Sequence, residues 1–79
     1  MRIVAEIPHE YMKISVFSWT GKYTVKIELG QYEQVFKINE TDVDGLDELK
    51  KMINEDFLKT VHLRFSEMSK DFLKAWQGK

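Results

Sequence analysis

The sequence predicts an α+β domain, a four-stranded antiparallel β-meander with a C-terminal helix packed on one face. Three observations lead there. The first half carries short segments of period-two apolar alternation separated by two-residue turn signals. Independent readings of those turns agree on which residues share a face. After Ile38 the apolar period lengthens from two to about 3.6, the mark of an amphipathic helix. The chain of 79 residues reads as one domain, with sheet over 2–38 and helix over 44–77.

The sheet follows from the turns. With Thr20-Gly21 as a two-residue turn, Val16 opposes Val25, Ile14 opposes Ile27 and Met12 opposes Leu29, while Lys13 meets Glu28 on the other face. A slip of one residue would scatter every pair. With Gly30-Gln31 as the next turn, Val25 faces Phe36 and Tyr23 faces Ile38 on the same side as before. With Pro8-His9 as the first turn, Ala5 falls opposite Met12 and Ile3 opposite Ile14. That leaves Arg2, Val4, Glu6 and Tyr11 on the outer face with Lys13, Phe17 and Trp19.

The helical half is longer than the sheet needs. Leu46, Leu49, Ile53, Phe57, Val61, Phe65, Met68, Phe72 and Trp76 follow one another at steps of three or four. Asp44 suits an N-cap and Gly78 a C-terminal stop. A straight helix from Gly45 to Gln77 would run about 50 Å, whereas an eight-residue strand spans about 27 Å. Asn54-Glu55-Asp56 offers a second N-cap, with Ile53 and Leu58 at the spacing of a hydrophobic staple. One continuous helix and a helix kinked or split near Asn54 both fit the pattern. The expected core is Ile14, Val25, Ile27, Phe36, Ile53, Phe57 and Phe65. Leu58, Leu63, Leu73 and Trp76 widen the C-terminal stripe beyond what one sheet covers, and they form the expected surface of a homodimer.

Composition excludes several classes. The absence of Cys removes disulfides, thiolate nucleophiles and Cys-based zinc sites, and it suits a reducing compartment. No apolar run approaches the roughly 20 residues of a membrane span, and no signal-peptide core is present, so a cytoplasmic, non-membrane protein is expected. Net charge is -1, so any attraction to polyanions must be local. Up to Ile38 five bases stand against four acids; beyond it seven stand against nine.

Signals for catalysis are weak, and no enzyme and no cofactor are expected. His9 and His62 lack a His or Cys at metal-ligand spacing. Ser15, Ser18, Ser66 and Ser69 sit in no nucleophile elbow. Glu67 and Asp71 share a helix face, but Lys70 and Lys74 beside them suit ion pairing. Glu40-x-Asp42-x-Asp44-Gly45 imitates the opening of a calcium loop. Its twelfth position is Lys51, a cation where a bidentate Glu is required, so no metal is expected.

The outer sheet face is the remaining candidate. Lys13, Lys22, Lys26 and Lys37 interleave there with Phe17 and Trp19, a composition in which aromatic planes stack bases and Lys follows phosphates. The plain alternative is the wet side of a half-exposed sheet. Four strands followed by a helix, from Tyr11-Met-Lys-Ile-Ser-Val-Phe through Gly-Lys-Tyr-Thr-Val-Lys-Ile-Glu-Leu to the helical tail, resembles the unit of Whirly and Pur-type single-stranded nucleic-acid-binding proteins. That resemblance implies a binding sheet face and helix-mediated pairing of units. The Whirly Lys-Gly-Lys signature is missing, so no binding residue carries over. The leading expectation is a non-enzymatic, homodimeric interaction module, with single-stranded DNA or RNA binding as the alternative.

Overall fold

Two turns set the frame of the molecule, whose structure is a computed structural model describing residues 2–78. Strands β1 (Arg2–Ile7), β2 (Lys13–Trp19), β3 (Lys22–Leu29) and β4 (Tyr32–Asn39) form one antiparallel sheet in the order β1-β2-β3-β4. Thr20 and Gly21 both take positive φ, 49° and 78°, as a type I′ hairpin requires. Gly30, at φ 62°, leads the second turn. The resulting register is the expected one: Lys13 opposes Glu28, Ile14 opposes Ile27, Val16 opposes Val25, Val25 opposes Phe36 and Tyr23 opposes Ile38.

β1 departs from expectation. Ile7 pairs with Ile14 and Ala5 with Val16, a shift of four residues, because the connection spans residues 8–12 and is not a Pro8-His9 turn. Pro8 has no N–H and a fixed φ, which suits a wider loop. In that loop the Tyr11 backbone N–H donates to His9 Nδ1 at 3.1 Å. An even shift keeps Ala5 and Ile7 on the core side. A bulge between Ile3 and Ala5 then reverses the start of the strand. Ile3 opposes Phe17 on the outer face, and Arg2 opposes Ser18 on the helix side.

The helical region is split. A 3-10 turn (Glu40–Asp42) leads to α1 (Gly45–Met52), and α2 runs from Glu55 to Gln77. Between them Ile53 and Asn54 leave helical geometry, and the Asn54 side chain accepts the Phe57 N–H at 2.9 Å. Ile53 and Leu58 are both buried, so the staple across the break is made. Asp44 occupies the N-cap position of α1 without a side-chain capping bond, and Gly78 is the C-cap of α2.

The core lies between the sheet and both helices. Met12, Ile14, Val16, Val25 and Ile27 meet Leu49 and Ile53, then Leu58, Val61 and Phe65 of α2. Phe36 was expected there but is 40% exposed, because β4 is an edge strand with no neighbour beyond it. Phe57, against which its ring packs edge-on at 5.4 Å, is only half-buried. Gln34 also faces the helices and satisfies its amide by donating to the Val61 carbonyl at 3.1 Å.

α2 outruns the sheet. Its 23 residues extend about 35 Å, against about 27 Å for β4. The molecule is accordingly 45 × 25 × 18 Å, with a radius of gyration of 14.2 Å. A compact chain of this length would have about 12 Å. Truncating Ile27 to Ala, at the centre of the buried layer, is expected to cost about 2–5 kcal/mol in urea unfolding. Removing the Asn54 cap with Asn54→Ala is expected to cost about 1 kcal/mol.

Candidate interaction surfaces

The outer sheet face divides into two ends. At one, Lys13 opposes Glu28, which opposes Glu33. Lys26 lies against Glu28 at 3.1 Å and Glu33 at 3.4 Å. The hydrogen bond to Glu28, then the charges of Glu28 and Glu33, hold its amine above the ordinary lysine pKa. At the other end Trp19 opposes Lys22, and Phe17 opposes Thr24, which opposes Lys37. Trp19 is 59% exposed there, and the strand positions around it carry no acid.

Three residues expected on this face are elsewhere. The bulge places Arg2 on the helix side and turns Val4 onto the core, against which it is partly buried. Tyr11 packs its ring 6.2 Å from His62 of α2, because it belongs to the widened β1–β2 loop and not to a strand. The outer face keeps Lys13, Lys22, Lys26 and Lys37 against Glu6, Glu28 and Glu33, a charge of +1 that Arg2 on this face would have made +2.

The second surface is the free end of α2. Leu58, expected on it, is buried because it closes the staple over the core. Leu63 is exposed, but five residues beyond Leu58 it stands about 140° around the helix from that stripe. Phe72, 54% exposed, and Trp76, 58% exposed, continue the stripe past the sheet, and Leu73, 54% exposed, flanks it about 80° around the helix from Phe65. Phe72 touches the end of the sheet through Tyr32, with ring centroids 6.3 Å apart.

A third surface lies at the opposite end of α2. Phe36, Ile38, Met52 and Phe57 line an open apolar groove of about 230 Å³ floored by Val25 and Leu49. Sequence reasoning assigned Phe36 and Phe57 to the closed core and left Met52 aside. The available signal was strand order, since the last strand of a meander has a free edge.

The polar side chains weighed for catalysis are mostly engaged in the fold or exposed. Ser18 donates to Glu40 at 2.8 Å, and Asn39 donates to Asp42 at 3.2 Å, so two acids of the calcium-like run serve the β4–α1 connection. Ser15 is buried. Ser66, Ser69, Glu67 and Asp71 are exposed along α2. His9 and His62 flank Tyr11. Among the described residues no group of three His, Asp or Glu side chains could hold a metal ion. No helix of the described residues is long and apolar enough to cross a membrane.

Comparison with protein-family models, with curated proteins and with solved structures finds no match to this chain. The surfaces must therefore be read from their own chemistry. Because Glu28 is the main cause of the raised Lys26 pKa, Glu28→Gln is expected to lower it toward the ordinary value, measurable by NMR titration of the Lys26 side chain.

Proposed function

We propose that this chain is a non-enzymatic interaction module that works as a homodimer. The observation that carries this reading is the exposure of Phe72 and Trp76 on the same helical stripe whose earlier residues, Val61 and Phe65, are fully buried, with exposed Leu73 on its flank. An apolar stripe that continues past its sheet requires a second surface. A second copy suits it electrostatically in a limited sense. Glu55 and Asp56 are followed by Lys59 and Arg64, and Lys70 and Lys74 interleave with Glu67 and Asp71, so both halves of α2 are neutral and two antiparallel α2 helices meet without net repulsion.

A second reading is single-stranded nucleic-acid binding, supported by exposed Trp19 beside Lys22, with Phe17 and Lys37, at the end of the outer face whose strand positions carry no acid and which Asp42 borders. The element order resembling Whirly and Pur-type units supports it too. The small net charge of that face and the engagement of Lys26 by two carboxylates favour the dimer module.

Sedimentation is expected to show a dimer that dissociates on dilution, with Leu73→Glu monomeric and correctly folded. A wild-type monomer at high concentration refutes the module reading. In the Trp19→Phe background, emission from Trp76 is expected to shift to the blue as concentration rises. For the second reading, adding a short single-stranded oligonucleotide at low salt is expected to change Trp19 emission, and Trp19→Ala to weaken binding by about 1–3 kcal/mol. Absence of binding at low salt, where the electrostatic contribution is greatest, removes that reading.

A further inference from the structure

The two edges of the sheet are unlike. β1 has six residues, is bulged between Ile3 and Ala5, and ends against Pro8, features that discourage pairing with another strand. β4 has eight residues, neither Pro nor bulge, and pairs with β3 in unbroken register from Lys22–Asn39 to Leu29–Tyr32. The chain leaves β4 without covering that edge. The Glu40 N–H donates to the Gly21 carbonyl at 2.9 Å, which draws the connection toward the β2–β3 turn. Among the described residues no backbone bond from outside the sheet reaches the β4 strand.

The phase of the free edge follows from the Gly30-Gln31 turn. A two-residue hairpin closes on a hydrogen-bonded pair, here Leu29–Tyr32. Alternate residues Gln34, Phe36 and Ile38 therefore bond to β3, while Glu33, Val35 and Lys37 turn their N–H and C=O groups outward.

Resting on the homodimer reading, we propose that β4 pairs antiparallel with β4 of a second copy about a two-fold axis at Val35, joining two sheets into one of eight strands. Symmetry restricts the choice of register. Centred on Val35, Glu33 opposes Lys37 of the second copy, and the symmetric contact repeats it. Val35, 45% exposed, meets itself, and Tyr32 meets Ile38. Centred on Phe36, Lys37 faces Val35 and Glu33 faces Asn39; centred on Gln34, Glu33 faces Val35 and Lys37 faces Gln31. Neither neighbouring register matches charges. A slip to a centre between residues sets outward-bonding positions against inward-bonding ones.

The same axis accounts for the two apolar surfaces. α2 runs opposite to β4, since Phe57 packs on Phe36, Val61 bonds to Gln34, and Phe72 reaches Tyr32. Its free end therefore leaves the sheet at the Tyr32 end of β4. Reversing β4 brings that end to the Ile38 end of the second copy, where the groove of Phe36, Met52 and Phe57 is open. Each tail meets the groove of the other copy, apolar stripe against apolar lining.

Val35→Pro tests the pairing directly. The Val35 N–H points away from β3, so Pro removes no bond of the protomer while blocking the new ladder. The expected result is a monomer by sedimentation with an unchanged circular dichroism spectrum. Should that variant unfold, charge exchange decides. Glu33→Lys and Lys37→Glu singly are each expected to weaken the dimer about tenfold, and the double variant to restore it. A folded Val35→Pro that dimerises like wild type, or a double variant no tighter than the singles, overturns β4 pairing. If Leu73→Glu still dissociates the dimer in that case, the module reading survives through the helix alone. A wild-type monomer at every concentration overturns both.

Discussion

Everything else in this protein hangs on the continuous register from β2 through β4. Ile14, Val16, Val25 and Ile27 form a single buried patch because two tight turns hold three strands in phase. Side-chain direction alternates with every residue, so one residue of slip at either turn would send these groups to water. Thr20 accepts a left-handed φ of 49° to keep that phase, a conformation uncommon for a non-glycine residue. The helices take their positions from the patch, with Leu49 and Ile53 over one part and Leu58, Val61 and Phe65 over another.

Length is the second constraint. Two helical segments cover a sheet of four strands, and the Asn54 break lets the chain turn so that both segments lie on it. The break shortens the problem without removing it. α2 keeps its apolar period to its end, so the covered residues grade into exposed ones as the sheet runs out: Phe65 is closed, Met68 half-buried, Phe72 open. At the other end of α2 the edge position of β4 leaves Phe36 and Met52 under-packed. Both apolar excesses are consequences of covering a small sheet with a long helix, and a domain of this size has little core to spare for leaving them in water.

The outer face shows how local charge can differ from the total. Lys26 is bracketed by Glu28 and Glu33, and Lys13 stands opposite Glu28, so the acids of the face gather at one end of it. Lys22 and Lys37 share the other end with Trp19 and Phe17. The bulge contributes to this distribution by taking Arg2 to the opposite face and setting Ile3 beside Phe17.

From the sequence alone came the fold class, the β2–β4 register and both tight turns, while the Asn54 cap was one of two readings that the apolar period left open. Each is decided by neighbours within a few residues, through turn geometry, apolar period or a capping side chain. The first strand was not legible in this way. Its pairing depends on a five-residue loop and a bulge, and neither has a local signal as strong as Thr20-Gly21. The surfaces were legible in part. Leu73 and Trp76 were recognised as surplus, whereas Leu58 carries the same apolar signature yet is buried, and Phe36 carries it yet is exposed. Apolarity states that a side chain is better out of water, but not whether its own chain can cover it. That was decided by tertiary structure, where a helix of 23 residues meets strands of at most eight and the last strand has nothing beyond it.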